Sequence, residues 1–271
     1  FKQEAQQRIM AVINFGSINI DHVYQVEHFV QPGETIASSH YQCLLGGKGA
    51  NQSIALAKAG SEVRHVGKIN ESDVSFKQTM IRNGIDCKHV TCSETASGHA
   101  IIQVTPSAEN AIVLFGGANH EMTSKDIMHA LDTVKSVDWV LTHNETNSID
   151  QVLTQAKKKG LRVAFNPAPM TESVKHLPHE CIDLLIVNEV EAEEISGCQD
   201  LDKIEEEVPA EVEIYSIEFV CKDRSDGNIK LNFKSDEEVK KAEEFVLKEG
   251  SRFNIRITFK VHSDIVYGLK F

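Results

Sequence analysis

Two short clusters near the start of the chain combine glycines with polar side chains suited to binding a small polar molecule. The first is Gly16-Ser17-Ile18-Asn19-Ile20-Asp21-His22, and the second is Leu44-Leu45-Gly46-Gly47-Lys48-Gly49-Ala50-Asn51-Gln52. Glycines close together let backbone amides approach a ligand, because no Cβ stands in the way. The clusters also supply side chains for the directional hydrogen bonds that a sugar requires, namely Asn19, Asp21, Lys48 and Asn51. Together the clusters predict a sugar site.

The glycine run Gly46–Asn51 differs from the common phosphate-binding loops. It lacks the spacer and the final Lys-Ser or Lys-Thr of a Walker A loop, and it does not have the spacing of a dinucleotide-binding loop. Taken alone, the run is equally compatible with a tight strand-to-helix turn that leaves Lys48 exposed.

The overall composition excludes several classes of partner. The 271 residues are 41% hydrophobic and 25% charged, which is typical of a globular protein with a buried core. The net charge of −12 argues against nucleic acid and anionic membranes, because both attract a basic surface. The six widely spaced Cys indicate reduced thiols. The sequence has no apolar run of the roughly 18 residues that a membrane span needs. We therefore expect a cytoplasmic protein without membrane insertion.

Short apolar strands alternate with helical stretches along most of the chain. The predicted strands are Ala11–Phe15, Val63–Val66, Trp139–Thr142, Arg162–Phe165 and Asp183–Val187, and the predicted helices are Lys48–Ala59, Val74–Asn83, Ile149–Lys159 and Val190–Ser196. This alternation predicts right-handed βαβ units and a parallel sheet, which is an α/β fold. Gly98–Val104 and Ala111–Phe115 interrupt the rhythm and predict a hairpin, with the region around Tyr41, in a small separate sheet.

The pattern changes near residue 207. In Phe253–Val261 every odd position is apolar and every even position is polar, which predicts a half-buried antiparallel strand. Glu211–Cys221 and Asn228–Phe233 are also strand-like and are joined across the turn signal Ser225-Asp226-Gly227. The last part of the chain is therefore predicted to be rich in antiparallel β-structure.

The two clusters and several later motifs resemble the ribokinase family, which belongs to the phosphofructokinase-B type of sugar kinases. The motifs follow the family's order: Pro32-Gly33-Glu34-Thr35 between the clusters, then Gly116-Gly117-Ala118-Asn119, Glu145, Asn166-Pro167-Ala168-Pro169, and Asn188-Glu189-Val190-Glu191-Ala192-Glu193. The resemblance covers about residues 10–201. It implies a mostly parallel sheet flanked by helices, with a small β lid, and ATP-dependent phosphorylation of ribose or a similar sugar at its primary hydroxyl.

The resemblance assigns the two clusters to the sugar. Asn19 and Asp21 are expected to hold sugar hydroxyls, since one carboxylate can accept two of them. Gly47 and Lys48 are expected to add backbone and ammonium contacts, and Asn51 a further hydroxyl contact.

Later motifs are implied to serve the sugar, the nucleotide and the metal. Glu145 is expected to contact the sugar and to order water around magnesium, although a surface acid after a strand is the alternative. Asn188 and Glu191 are expected to order the ATP phosphates and Mg²⁺, and Asn188 is also a candidate helix N-cap. His22 and His143 lie next to the site and are interpreted as packing residues rather than bases.

The catalytic turn of the family has no counterpart in these residues. Ribokinases carry a Gly-Ala-Gly-Asp turn whose Asp is the base and whose amides stabilise the developing anion. None of the 16 glycines lies in a Gly-x-Gly-Asp arrangement, no potassium loop is found, and no catalytic residue is assigned. We therefore expect sugar binding with weak or absent kinase activity.

Residues 208–271 resemble part of the immunoglobulin-like domain of a Rho GDP-dissociation inhibitor. The resemblance is carried by Val208-Pro209, Ile217–Cys221, Phe245–Gly250, Ile255–Val261 and Val266–Phe271. It implies an incomplete β-sandwich and, as an alternative function, binding of a prenylated Rho GTPase. The junction after the incomplete ribokinase-like part leaves a gene fusion, a misjoined gene model and an engineered chimera open.

The ribokinase resemblance also implies a way of forming oligomers. In that family the small lid sheet covers the sugar and pairs two subunits. The expected lid strands, Thr35–Leu45, Gly98–Val104 and Ala111–Phe115, are all present. A homodimer through the lid is therefore the predicted assembly.

Overall fold

A computed structural model describes residues 11–134 and 139–197, and further along the backbone of the strands at 212–221, 229–232, 253–261 and 265–267. The chain divides into two compact units, Phe1–Leu185 and Ile186–Phe271. The boundary predicted between residues 201 and 208 lies outside the described residues.

The first unit alternates strands and helices as predicted. In chain order its elements are β1 (Ala11–Phe15), β2 (Asn19–Gln25), β3 (His40–Gly46), α1 (Lys48–Lys58), β4 (Glu62–Asn70), α2 (Val74–Arg82), β5 (Asp86–Ser93), β6 (Gly98–Val104), β7 (Asn110–Phe115), α3 (Ser124–Asp132), β8 (Trp139–His143), α4 (Ile149–Lys158) and β9 (Arg162–Asn166). The strand β10 (Leu184–Val187) begins in this unit.

The main sheet of the first unit is parallel. Its strands lie in the order β10-β9-β8-β1-β4-β5, and each neighbouring pair runs in the same direction. Successive residues of β1 point to opposite faces of the sheet. Ile13 belongs to the same buried cluster as Val152 and Leu153 of α4, whereas Leu56 of α1 packs against the cluster that contains Val12. Helices therefore cover both faces, as the alternating sequence predicted.

A second, smaller sheet contains β3, β2, β6 and β7 in that order; we call it the small sheet. The strand β2 runs antiparallel to β3 and parallel to β6, and β6 and β7 form an antiparallel hairpin. The expected strands Gly98–Val104 and Ala111–Phe115 are thus confirmed, whereas the strand expected over Thr35–Leu45 begins only at His40. The structure adds β2, which the sequence analysis treated only as a polar cluster. It also adds β5 and α3, which were not predicted.

The second unit begins with α5 (Glu189–Ser196), followed by β11 (Val212–Cys221), β12 (Ile229–Asn232), β13 (Phe253–Val261) and β14 (Ile265–Tyr267). The strands β12, β11 and β13 form an antiparallel sheet in that order. This confirms the three strands and their antiparallel pairing. The immunoglobulin-like sandwich stays a prediction. Across the described part of the chain, no helix combines the length and apolarity of a membrane span.

Candidate functional site

The first turn of α1 is capped by residues that lie far away in the sequence. The backbone N–H of Lys48 donates to Glu145 Oε2 at 3.1 Å. The next two donors, from Gly49 and Ala50, reach Ser17 Oγ at 3.3 Å and the Ser17 carbonyl at 2.9 Å. Free N–H groups at a helix start attract anions. Here a carboxylate of the protein already takes that position, so the glycine run is not a phosphate loop.

Two glycines of the run are required at their positions, one by its backbone conformation and one by the space beside it. Gly47 precedes α1 with φ of +89°, a region that favours glycine. Gly46, at the end of β3, packs directly against the carboxylate of Asp21 on β2, and a Cβ at this position would overlap that carboxylate. The glycines therefore form the tight strand-to-helix turn and also leave room for a polar side chain beside it.

Glu145 follows β8 and is the charged centre of this region. Its Oε1 accepts from Lys48 Nζ at 2.9 Å, and its Oε2 accepts from Ser17 Oγ at 2.6 Å. The Glu145 side chain is only 9% exposed, so the alternative of a surface acid is wrong. Burial raises the pKa of this carboxyl, but the hydrogen bonds from Ser17 and Lys48 outweigh burial and hold the pKa below its ordinary value. Glu145 is therefore an anion at neutral pH.

Two histidines beneath the glycine run are fully buried. His143 contacts Ser17, and burial lowers its pKa to about 4. His65 bridges the Gly16 carbonyl at 3.1 Å and Ser53 Oγ at 2.8 Å, and burial lowers its pKa to about 3. Both rings are neutral near pH 7. The interior position of His143 agrees with the packing interpretation.

Asn19 lies at the start of β2 with its amide fixed by a second amide. Asn119 Nδ2 donates to Asn19 Oδ1 at 2.7 Å, and Asn119 Oδ1 accepts from the backbone N–H of Ile18 at 2.9 Å. The oxygen of Asn19 is thus engaged, and its NH₂ group remains as a donor. Sequence reasoning named Asn119 only as part of a motif. Asn119 orients Asn19 through a hydrogen bond between residues that are about one hundred positions apart in the sequence.

Asp21 lies two residues further along β2, on the same side of the strand as Asn19. Burial and repulsion by Glu145 raise the pKa of Asp21, and the neighbouring His22 partly opposes this. His22 alternates to the other face of the strand, where its Nδ1 lies 2.8 Å from Tyr41 Oη. That contact agrees with a packing role for His22.

The predicted residues fall into two groups by position. Asn19, Asp21, Gly47, Lys48 and Glu145 belong to neighbouring ends of β2, β3, α1 and β8 in the first unit. Asn51 lies within α1 with an exposed side chain.

Asn188 and Glu191 belong to the second unit, where they form a capping box at the start of α5. Asn188 Oδ1 accepts from the Glu191 N–H at 2.8 Å, and Glu191 Oε2 accepts from the Asn188 N–H at 3.0 Å. The N-cap interpretation of Asn188 is therefore confirmed. Within the described ranges no group of three or more His, Cys, Asp or Glu has a geometry that would hold a metal ion.

The sequence matches the family model of the pfkB family carbohydrate kinases over residues 11–240. The chain belongs to this family. The match extends past residue 201, where the motif resemblance ends, and includes residues 208–240 of the segment compared with a Rho GDP-dissociation inhibitor. Nothing in the match supports that second resemblance.

Individual relatives indicate a ribokinase-like sugar kinase lineage. The chain is 36% identical to a ribokinase of Haemophilus influenzae over 196 residues, which is 69% of this chain and 63% of the relative. A ribokinase of Cryptococcus neoformans in complex with ADP superposes with a TM-score of 0.60 at 32% identity, covering 69% of this chain and 59% of that one. A ribokinase of Arabidopsis thaliana with bound ribose and ATP superposes with a TM-score of 0.61 at 26% identity, covering 73% and 67%. This pfkB family member has a ribokinase-like α/β fold and spans about 63% of the length of such a curated relative.

Proposed function

We propose that the first unit binds ribose or a similar sugar and forms the acceptor side of an ATP-dependent phosphorylation of its primary hydroxyl. The observation that carries the proposal is the set of hydrogen-bonding groups at the ends of β2, α1 and β8. Asn19 Nδ2 and Lys48 Nζ are donors, and the carboxylates of Asp21 and Glu145 are acceptors.

A sugar hydroxyl both donates and accepts, so a polyol needs donors and acceptors together. Glu145 Oε2 already accepts two hydrogen bonds, which leaves Oε1 as the oxygen with capacity for a sugar hydroxyl. Lys48 Nζ uses one of its three hydrogens on Glu145 and retains two for the ligand. Asp21 can accept from two neighbouring hydroxyls. Support also comes from the Arabidopsis thaliana ribokinase, whose structure is known in complex with ribose and ATP.

Calorimetric titration of the full chain with ribose tests the proposal. We expect binding that weakens about tenfold or more in Glu145→Gln, because a bond to a charged acceptor is worth about 1.5–3 kcal/mol. Glu172→Gln is the matched control, since Glu172 is 74% exposed and forms an ion pair with Lys175. Ribose affinity that is undetectable in the parent chain, or equal in the Glu145→Gln and Glu172→Gln variants, would contradict the proposal.

For the donor side we propose that Asn188 and Glu191 order the ATP phosphates and Mg²⁺. Mg²⁺ is usually held by one or two carboxylates together with substrate phosphates. Glu191 is a carboxylate whose Oε1 takes no part in the capping box, so it fits a partial metal site. Bound Mg²⁺ would neutralise charge on the transferred phosphate.

We propose in addition that two copies pair through the small sheet. Support comes from the edge hairpin, where Ile112, Val113, Leu114 and Phe115 of β7 are each about half exposed or more. Such an apolar edge strand is prone to pairing. The alternative function, binding of a prenylated Rho GTPase by residues 208–271, rests on resemblance alone. Its test is retention of such a GTPase by the full chain.

A further inference from the structure

The Ser17 hydroxyl joins three parts of the first unit. Its Oγ lies 2.6 Å from Glu145 Oε2, 3.0 Å from His143 Nε2 and 3.3 Å from the backbone nitrogen of Gly49. A hydroxyl has one hydrogen and two lone pairs, so only one partner can receive its hydrogen. The carboxylate is both the nearest and the charged partner. Ser17 therefore donates to Glu145.

The direction of that bond decides where His143 carries its proton. With the Ser17 hydrogen already used, the 3.0 Å contact is attractive only if His143 Nε2 holds a hydrogen and donates it to Ser17 Oγ. The other tautomer would set two lone pairs against each other. It would also bury a hydrogen on Nδ1, for which the described residues provide no acceptor.

One contact favours the Nδ1–H tautomer, but it is weaker than the contact between Ser17 Oγ and His143 Nε2. The backbone N–H of Ser17 points at His143 Nε2 across 3.3 Å, which is longer than the 3.0 Å contact from Ser17 Oγ. Each tautomer leaves one buried N–H without an acceptor among the described residues, and each has one repulsive contact. The Nε2–H form sets the Ser17 N–H against another hydrogen across 3.3 Å, whereas the Nδ1–H form sets two lone pairs against each other across the shorter 3.0 Å. The Nε2–H form also satisfies Ser17 Oγ completely, with one donation and two acceptances.

We propose that Ser17 and His143 are positioning residues for Glu145. His143 Nε2–H donates to Ser17 Oγ, and Ser17 donates to Glu145 Oε2. This relay holds Oε2 beside the first turn of α1 and turns Oε1 toward Lys48 Nζ, where the sugar is proposed to bind. Only this last step rests on the proposed function, because the proton positions follow from the protein alone.

Nuclear magnetic resonance tests the proton positions without any sugar. In the full chain labelled with ¹⁵N-histidine, long-range ¹H–¹⁵N spectra separate the two neutral tautomers, and His143→Gln assigns the signals. We expect the Nε2–H tautomer near pH 7, and a changed His143 signal in Ser17→Ala because the acceptor is lost. An Nδ1–H tautomer, or His143 signals that Ser17→Ala leaves in place, would overturn the proposal.

Ribose calorimetry across pH tests the effect on Glu145. We expect Ser17→Ala to weaken binding about tenfold at pH 7 and to move its acid limb to higher pH. Ser17→Thr keeps the hydroxyl and should restore both. Thr142→Val is the matched control, since it removes a buried hydroxyl that has no hydrogen-bond partner among the described residues, next to His143 in β8. Glu145 also faces Lys48, His143 and Asp21, which all these variants retain.

The two measurements separate the inference from the proposed function. If the parent chain fails to bind ribose, the proposed function is wrong. The magnetic resonance measurement of the His143 tautomer still tests the proposed proton positions. If ribose binds but Ser17→Ala and Thr142→Val shift the acid limb equally, the positioning role is wrong. Should Ser17→Ala fail to fold, the tautomer in the parent chain remains the deciding result.

Discussion

The carboxylate of Asp21 is unfavourable for the folded protein in the absence of a ligand. It is partly buried on β2 and repelled by Glu145, and its pKa is raised above that of a free Asp. A carboxyl whose pKa is raised on folding contributes stability below the unfolded-state pKa of about 3.9, and that contribution is lost as pH rises through the folded-state pKa. The ionised Asp21 side chain, which is proposed to bind the sugar, therefore lowers the stability of the ligand-free protein at neutral pH.

Asp21→Asn should accordingly raise the melting temperature at pH 7 while weakening ribose binding. The gain in melting temperature should fade as pH falls, because Asp21 is then protonated and resembles Asn. Thermal melts from pH 3 to pH 7 and ribose calorimetry measure the two effects. Asp132→Asn is the control, since Asp132 is an exposed partner of Lys159 at 2.7 Å. A melting temperature that Asp21→Asn lowers at pH 7 would contradict this reasoning.

Single residues of the site differ in how far the sequence predicts them. Asn19, Asp21 and Lys48 stand in glycine-rich clusters, so their residue types and spacing alone indicate a polar ligand. Ser17 and Asn119 act by fixing other side chains, through contacts that depend on the folded chain. No local pattern marks such a residue, because its partner lies about one hundred positions away.

At the scale of elements, α3 is fixed by its first turn. Thr123 Oγ accepts from the backbone N–H of Asp126, and the Asp126 carboxylate accepts from the backbone N–H of Thr123. This capping box occupies donors that would otherwise lack partners. The spacing of Thr123 and Asp126 was available in the sequence and would have marked the start of the helix.

Thr123→Ala should lower the free energy of unfolding by about 1 kcal/mol, the usual cost of losing such a cap. Ribose affinity should stay unchanged, because α3 supplies no group to the proposed site. Urea unfolding followed by circular dichroism measures the loss. Ser75→Ala, an exposed position in the first turn of α2 without a cap bond, should change stability by less than about 0.5 kcal/mol. Equal losses in the two variants would argue against the capping box.

The missed strands had physical reasons to be missed. Along β5 the buried residues Cys87 and Val90 are three positions apart, which breaks the period of two. The pairing of β4 with β5 shifts register between Arg64 and Val66, so an irregularity moves the buried side to a new position. The strand β2 pairs with β3 and β6 without a register shift, but its burial does not alternate, and its start carries the polar residues Asn19 and Asp21. Irregular pairing therefore explains why β5 was not predicted, and the polar residues of the candidate site explain why β2 was not.

For the whole molecule, the small sheet determines the predicted assembly. Sedimentation of the parent chain should show a dimer. Val113 and Leu114 point to opposite faces of β7, so Val113→Lys and Leu114→Lys each place a charge on one face. At least one of them should give a monomer, and the effective variant identifies the face that pairs. A monomeric parent chain, or two variants that both stay dimeric, would contradict the predicted homodimer.

The predicted kinase rate is also a property of the whole chain. These residues contain no Gly-x-Gly-Asp turn. Losing a general base costs roughly 10²–10⁴ in rate, and losing an anion hole roughly 10²–10³ more. We expect ATP-dependent formation of ribose phosphate at least roughly 10⁴-fold slower than with a ribokinase that carries the turn, measured by coupled ADP release. Phosphorylation at an ordinary kinase rate would show that other residues supply the base.

The capping of α1 by Ser17 and Glu145 has a consequence for the order of folding. The Lys48–Glu145 and Ser17–Glu145 bonds span 97 and 128 residues, so they close large loops. Closing such loops costs conformational entropy before the new contacts stabilise the chain, so we expect these bonds to form late in folding. A chain emerging from the ribosome would expose the glycine run long before β8 is synthesised. The proposed sugar site would then be complete only when β8 has joined the sheet beside β1.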